Sequence, residues 1–309
     1  MDFTIARYLC LVNTLSDQGI SFLTFEEFVI NPSEKGIVLR HDVDSLPLNS
    51  LLFARIQSER GIRATYYFRI VSESFNENII KEIHSLGHEI GYHYEDFDLV
   101  IKKLRAQGSG LRSKEISERD LAEMAIGSFS KNLDRMRQLI PVKSICMHGS
   151  PLSSWDNRLL WKYYDYKEFG IESEPYFDLD FTNILYLTDT GRRWDGARVS
   201  VRDKGVVSSE QGEVNSKQEH YFKDWKVKPV RGSLMRMTAE GIEFQNRHKY
   251  RSTGNIVSAV KMKAFPERAM ITFHPQRWTD KALPWVKELV GQRVKNGVKY
   301  FLLKVNSKS

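Results

Sequence analysis

Gly87-His88-Glu89-Ile90-Gly91-Tyr92-His93-Tyr94-Glu95-Asp96, taken with Arg40-His41-Asp42-Val43-Asp44 upstream, sets the reading of this 309-residue chain. Each segment has the pattern of a buried strand that ends in groups able to bind a metal or move a proton. Side chains alternate faces along a strand, so Asp42 and Asp44 share a face, with Cα atoms roughly 6.5 to 7 Å apart. Two carboxylates at that separation can converge on one site, and unequal environments would give them unequal roles. His88 and His93 are an odd number of residues apart and face opposite sides of one strand. His93 closes the strand and is the histidine expected at the site.

Around these segments the pattern alternates strand and helix. Ile37-Val38-Leu39 reads as a buried strand that delivers His41 to Asp44. A helix over 49–60 ends at Gly61, an aromatic strand covers 64–70, and a helix over 78–86 turns inward Ile79, Ile80 and Ile83 and stops at Gly87. This order is the signature of a parallel sheet, in which ligand chemistry gathers at the C-terminal strand ends. Asp42, Asp44 and His93 all fall at such ends. Upstream, residues 3–16 read as a helix and Thr24-Phe25-Glu26-Glu27 as a capping box. Downstream, Ser117 caps a long helix with Leu121, Met124, Ala125, Phe129, Leu133 and Met136 on one face. A strand over 142–147 leads to His148-Gly149. Helical spacing returns at 256–262, a strand over 270–273 ends at His274, a helix spans 283–294 and a last strand covers 300–305.

The segment Gly61-Ile62-Arg63-Ala64-Thr65-Tyr66-Tyr67-Phe68, followed by a helix and Leu86-Gly87-His88-Glu89-Ile90-Gly91-Tyr92-His93, resembles the NodB-homology polysaccharide deacetylases (carbohydrate esterase family 4). The match is clearest over residues 37–98. It recurs at Met147-His148-Gly149-Ser150-Pro151 and Ile271-Thr272-Phe273-His274-Pro275. The Asp-Val-Asp form and the segment Leu185 to Gly196 resemble a divergent, WbmS-like branch associated with bacterial surface-polysaccharide synthesis. The resemblance implies an irregular (β/α) barrel, here one domain over 1–309 with an elaborated loop region at about 176–255. It implies removal of an acetyl group from an N-acetylated sugar with the help of one divalent ion. By the same resemblance Asp42 is the base, Asp44 a metal ligand, His93 the first histidine ligand and His274 the general acid.

One departure stands out. The family's second histidine ligand lies four residues after the first, and this chain has Phe97 there. His148, at the end of another strand and beside a glycine, is the leading replacement; Glu95 and Asp96 are the alternatives. The family's third motif ends in Arg-x-Pro, which is missing at His148-Gly149-Ser150-Pro151. Zn²⁺ is the default ion for a set of His and Asp ligands. Such an ion would activate a water and polarise the carbonyl, while a carboxylate and an imidazolium handle the protons. Rival readings are a sugar-binding homologue without catalysis and a metal amidohydrolase on a non-sugar amide. Trp155, Trp194 and Trp278 are candidates for a sugar platform or for core. His41 and His88 are expected to face away from the ion, and His84, His220 and His248 to lie at the surface.

The formal charge of +7 is uneven. Residues 201–309 carry 22 Lys and Arg against 10 Asp and Glu, a balance of +12, and residues 1–200 carry 24 against 29, a balance of −5. A basic C-terminal third suits an anionic ligand such as a nucleotide-linked or lipid-linked sugar. The chain carries no motif for nucleic-acid binding. It has no run long enough to span a bilayer and no signal-peptide pattern, so a cytoplasmic protein is expected. Cys10 and Cys146 have no ligand partners at short spacing and read as small buried residues.

Overall fold

Strands buried on both faces need near-continuous apolar or internally paired side chains, and Gly36–Val43 is buried at all eight positions. The computed structural model describes residues 1–32, 34–106, 116–149, 155–194, 206–207 and 236–306. In chain order its elements are α1 (Ile5–Asp17), β1 (Phe22–Leu23), α2 (Phe25–Ile30), β2 (Gly36–Val43), α3 (Pro47–Ser58), β3 (Thr65–Phe68), α4 (Glu77–Ser85), β4 (Glu89–Tyr94), α5 (Asp96–Ala106) and α6 (Glu118–Arg137). They continue as β5 (Ile145–Met147), α7 (Leu160–Tyr163), α8 (Pro175–Asp178), β6 (Leu185–Thr188), β7 (Val206–Val207), β8 (Arg236–Met237), α9 (Ala239–Arg247), α10 (Thr253–Lys261), β9 (Arg268–Phe273) and α11 (Ala282–Asn306).

Among the described residues, seven strands form one parallel sheet in the order β5-β4-β3-β2-β9-β6, with β1 also pairing to β2. β1 meets β2 at Ile37 and Val38 while β3 meets it from Arg40 to Val43, so both lie on one side of β2. The sheet curls into a half-barrel surrounded by helices, an α/β architecture of the (β/α)-barrel type. β7 and β8 pair separately. No helix among the described residues is long and apolar enough to cross a membrane.

Local signals account for most element ends. Thr24 and Glu27 make a reciprocal capping box, Asn76 caps α4 through Ile79 N–H, and Ser117 caps α6 through Asp120 N–H. Along α4, Ile79, Ile80 and Ile83 are buried. Each contributes about 1.5–3 kcal/mol relative to an exposed position. Gly87 adopts φ 89°, the left-handed stop read from the sequence. On α6 the stripe Leu121, Ala125, Phe129, Leu133 and Met136 is buried, but Met124 is 43% exposed at its margin.

One sequence expectation changes. The strand expected over 300–305 is instead part of α11, which runs unbroken from Ala282 to Asn306. A glycine such as Gly297 costs a helix only about 1 kcal/mol, so it does not by itself end one. The stretch after Pro175, read as an elaborated loop region with short β-like runs, supplies β6, an edge strand paired to β9 from Leu185 to Thr188. Gly149 is described, whereas Ser150 and Pro151 lie outside the described residues, as do Gln107 to Gly110 and His220.

The two sheet faces differ in chemistry. One carries His41, Tyr66 and Phe273 against Tyr8, Phe53 and Trp278; Tyr8 and Phe53 rings are 3.9 Å apart, and Tyr8 and Phe273 meet edge to face at 5.2 Å. The other face, inside the curl, is polar. In register across it lie Arg40, Thr65, Glu89 and Thr272, then Asp42, Tyr67 and Gly91, then His93 and Cys146. A Cβ on Gly91 would collide with the Tyr67 ring and stand 2.9 Å from Ser144 O, so only glycine lets β3, β4 and the chain before β5 close at this point.

Candidate metal centre

The site assembles from strand ends. β2 supplies Asp42 and, one residue past its end, Asp44; β4 supplies His93; β5 leads into His148; β9 leads into His274. All five sequence candidates meet at the C-terminal edge of the sheet. Asp44 Oδ1 stands 3.2 Å from His148 Nδ1 and 3.6 Å from His93 Nε2, and the two imidazoles approach to 3.3 Å. Asp42 Oδ2 lies 3.9 Å from His93 Nε2, and His274 Nε2 lies 4.0 Å from Asp44 Oδ2.

Each candidate is held by a second partner. His93 Nδ1 lies 2.9 Å from the Cys146 carbonyl. A carbonyl can only accept, so Nδ1 carries the proton and the Nε2 lone pair faces the site. The His148 N–H donates to Tyr94 O at 2.8 Å, and the His148 carbonyl accepts from Asn157 Nδ2 at 3.0 Å. Asp44 is pinned at its carbonyl by Arg69 Nη1 (3.0 Å) and at Oδ2 by Gln276 Nε2 (3.0 Å). After Asp44 the chain turns through Leu46, a left-handed residue at φ 52°, into Pro47 at the start of α3.

Among the described residues, two groups of three donors have their ligand atoms within 4.8 Å of one another: Asp44, His93 and His148; and Asp42, His93 and Cys146. The partners of Asp42 distinguish them. Arg40 Nε and Nη2 clamp Asp42 Oδ1 and Oδ2 at 2.8 and 2.7 Å, with both side chains buried. A fixed guanidinium already neutralises that carboxylate and repels a cation beside it. Asp44 has no such partner, and its Oδ1 is buried without a hydrogen bond. An orphaned carboxylate oxygen between two imidazole nitrogens fits a divalent ion with nitrogen and oxygen ligands. The residues therefore fit a metal, and the set that fits best is Asp44, His93 and His148.

The electrostatics agree with that division. Burial pushes the Asp42 carboxyl up, but Arg40, then His93 and His274, outweigh it and hold Asp42 below the usual carboxylate range. Burial likewise raises Asp44, and His148, His93 and His274 bring it well below. Both acids are thus ionised at neutral pH.

Glu95 and Asp96 do not join the cluster. Glu95 pairs with Arg69 at 2.6 Å. Asp96 accepts from Tyr92 OH, Ser128 Oγ and Asn132 Nδ2, and burial pushes it up to about 6 despite those bonds. Phe97, where a second histidine was expected, is buried and stacks on Trp155 at 6.2 Å. His41 and His88 face away: His41 bonds Thr65 O and Gln57, and burial lowers it to about 3, while His88 bonds Ala54 O and Ala64 N–H. His84 is exposed, and His248 bonds its own helix at Phe244 O. Trp194 and Trp278 are 3% and 1% exposed and belong to the core.

Sequence reasoning missed several residues at the site. Asp189, just past β6, is fully buried. It accepts from His274 Nδ1 (2.5 Å), His274 N–H (2.9 Å), Trp278 Nε1 (2.7 Å) and Arg277 Nη1 (3.1 Å). Burial raises its carboxyl, but His274 and Arg277 hold it below the usual range. Its signal was available: Leu-Tyr-Leu-Thr-Asp is an apolar strand ending in a carboxylate, as at Asp42. Arg40 was legible too, since it lies two residues before Asp42 on the same strand face. Cys146 joined the site's surroundings only through the β4–β5 register.

No family model and no curated protein matches the sequence. Among solved structures the chain is similar to a CE4 family pseudoenzyme from Bacillus anthracis. The identity is 13% and the TM-score 0.34, with 78% of this chain and 64% of that one covered. A mutant of that pseudoenzyme with restored enzymatic activity aligns at 12% identity and TM-score 0.34, covering 80% and 70%. A fungal L-serine ammonia-lyase from Rhizomucor miehei aligns at 11% identity and TM-score 0.18, covering 92% and 96%. This chain spans under two thirds of the first structure's length. The chain is an α/β protein whose parallel strand ends bring together a donor set that could hold a metal ion.

Proposed function

We propose that the chain is a metal-dependent hydrolase that removes an acetyl group from an N-acetylated sugar, a precursor of a bacterial surface glycan. The observation that carries this reading is the arrangement of three groups around one point: a donor set with an orphaned carboxylate oxygen, a separate ionised carboxylate held by arginine, and a histidine held by a buried aspartate. Amide hydrolysis needs each of them. A divalent ion on Asp44, His93 and His148 would supply Lewis acidity and bring the pKa of a coordinated water towards about 7. Asp42, clamped by Arg40, is oriented to take a proton from the attacking water. His274 Nε2 faces the same centre and is the group to protonate the leaving amine, with Asp189 holding its ring through Nδ1. The acetylated sugar substrate, one domain over 1–309, the divergent branch and a cytoplasmic site of action are parts of the same proposal.

The deciding experiment is a calorimetric titration of apo protein with Zn²⁺, Co²⁺ and Ni²⁺, followed by acetate release from a panel of N-acetylated sugars. One tight site is expected, weakened at least about tenfold by Asp44→Ala, His93→Ala and His148→Ala. Cys146→Ser should leave it within about threefold, because Arg40 disfavours the alternative set. A folded wild type with no tight site would refute the metal assignment. Tight binding without acetate release from any sugar, but with turnover of cyclic amides, would move the substrate class.

A further inference from the structure

The exposed apolar residues of α11 form a line. Leu283 is 85% exposed, Val286 50%, Val290 54% and Val294 62%. At about 100° per residue these four positions fall within roughly 80° of arc. The opposite side of the helix holds it to the protein. Trp285 Nε1 donates to Asp2 O at 2.8 Å, Arg192 stacks on the Trp285 ring at 4.7 Å, and Gln292 is buried and bonds Glu288. The apolar line is therefore a second face, not the docking face.

The charges beside that line have one sign. Lys287 and Arg293 are exposed, whereas Glu288, the helix's single acid, is tied to Gln292. We propose that α11 docks through this stripe onto an anionic lipid surface, lying in the plane of the interface. An amphipathic helix with apolar residues on one line and cations at its borders has the composition such binding requires. A second copy of the chain fits less well. An antiparallel pair centred on Val290 sets Lys287 of each copy against Arg293 of the other, a like-charge contact. Crossing the bilayer is also disfavoured, since no described helix has the length and apolarity. The docking stands apart from the hydrolase reading, but it bears on the substrate. Arg192 also bonds Arg277 O at 3.3 Å, and Arg277 reaches Asp189, so the root of α11 adjoins the His274 corner of the site. A substrate carried on a lipid would then be presented beside the strand ends.

The test is co-sedimentation of the full chain with vesicles of phosphatidylcholine mixed with phosphatidylglycerol, and with vesicles of phosphatidylcholine alone. Wild type should pellet with the anionic vesicles and stay in solution with the neutral ones. Leu283→Glu with Val290→Glu should weaken binding at least about tenfold, as should Lys287→Glu with Arg293→Glu. All four positions are exposed, so circular dichroism should show an unchanged fold. Absence of binding, equal binding to both vesicles, or binding unaffected by either double variant would overturn the proposal. So would a concentration-dependent dimer that the Leu283 and Val290 changes dissociate. Because no step involves turnover, failure here leaves the metal site untouched.

Discussion

Replacing Asp189 by Asn tests the least expected part of the site. Asp189 is fully buried and accepts four hydrogen bonds, from the Nδ1 and N–H of His274, from Trp278 and from Arg277. An asparagine of the same shape keeps one acceptor and presents an NH₂ group to donors it cannot accept from. It also leaves the Arg277 guanidinium, 12% exposed, without its counter-charge. Breaking a buried charged pair from one side costs about 3 kcal/mol or more. For a chain of this size that is a fall of roughly 5 °C or more in Tm. The pH dependence follows from the direction of the shift. The folded carboxyl sits below its usual value, so the unfolded chain binds the proton more readily. The stabilisation is then complete above the unfolded value, about 3.9, and is lost as pH falls through the folded one. Urea unfolding of wild type and Asp189→Asn should differ by the full amount at pH 7 and by progressively less as pH falls below about 3.9. The Nδ1–H proton resonance of His274 should move or vanish in the variant. A difference under about 1 kcal/mol at pH 7, or one that does not shrink with acid, would refute the argument.

Asp42→Asn should keep the ion site, weakened by the uncompensated Arg40 charge, while acetate release at saturating ion falls about 10²- to 10⁴-fold, the usual value of a general base; equal turnover in the variant would remove Asp42 from the mechanism. Gly91→Ala should destabilise by about 1–3 kcal/mol in chemical denaturation, because the new Cβ meets the Tyr67 ring and the Ser144 carbonyl inside a packed sheet. Glu174 is buried, and burial pushes its carboxyl up to about 8 despite the N–H donors of Tyr176 and Met147 and the charges of Arg158 and Arg40. The folded state therefore holds a proton that the unfolded chain releases near pH 4.3, and stability falls as pH rises from there to about 8. Glu174→Gln turns an NH₂ group towards one of those N–H donors and should cost stability near pH 4.5, and its cost should shrink or reverse towards pH 8 in thermal melts, as the wild type loses its own stability; equal effects at both would count against a protonated Glu174.

Periodicity and strand parity make much of this protein legible in its sequence. The strand that delivers Asp42 and Asp44, the strand that ends at His93 and the helix between them are local patterns, set by burial alternation, by an Asn cap at Asn76 and by a left-handed Gly87. Parity alone separated His93 from His88 and put Asp42 and Asp44 on one face. Local sequence named His148 ahead of Glu95 and Asp96, but it held no trace of the contact that brings His148 to His93. His148 meets His93 because β5 pairs with β4, a contact between residues more than fifty positions apart. Nor could it assign Asp189, which reaches His274 only because β6 lies beside β9. Residues far apart in the chain are brought together by strand order and register, and neither is encoded in the spacing of any single segment. The same limit explains α11: the sequence over 300–305 has apolar residues compatible with either period, and the continuation of the preceding helix, not the local pattern, sets its state. The donor types of the five candidate residues were thus written in their own segments, while the long-range pairing of the sheet selected which of them come together and which buried groups hold them.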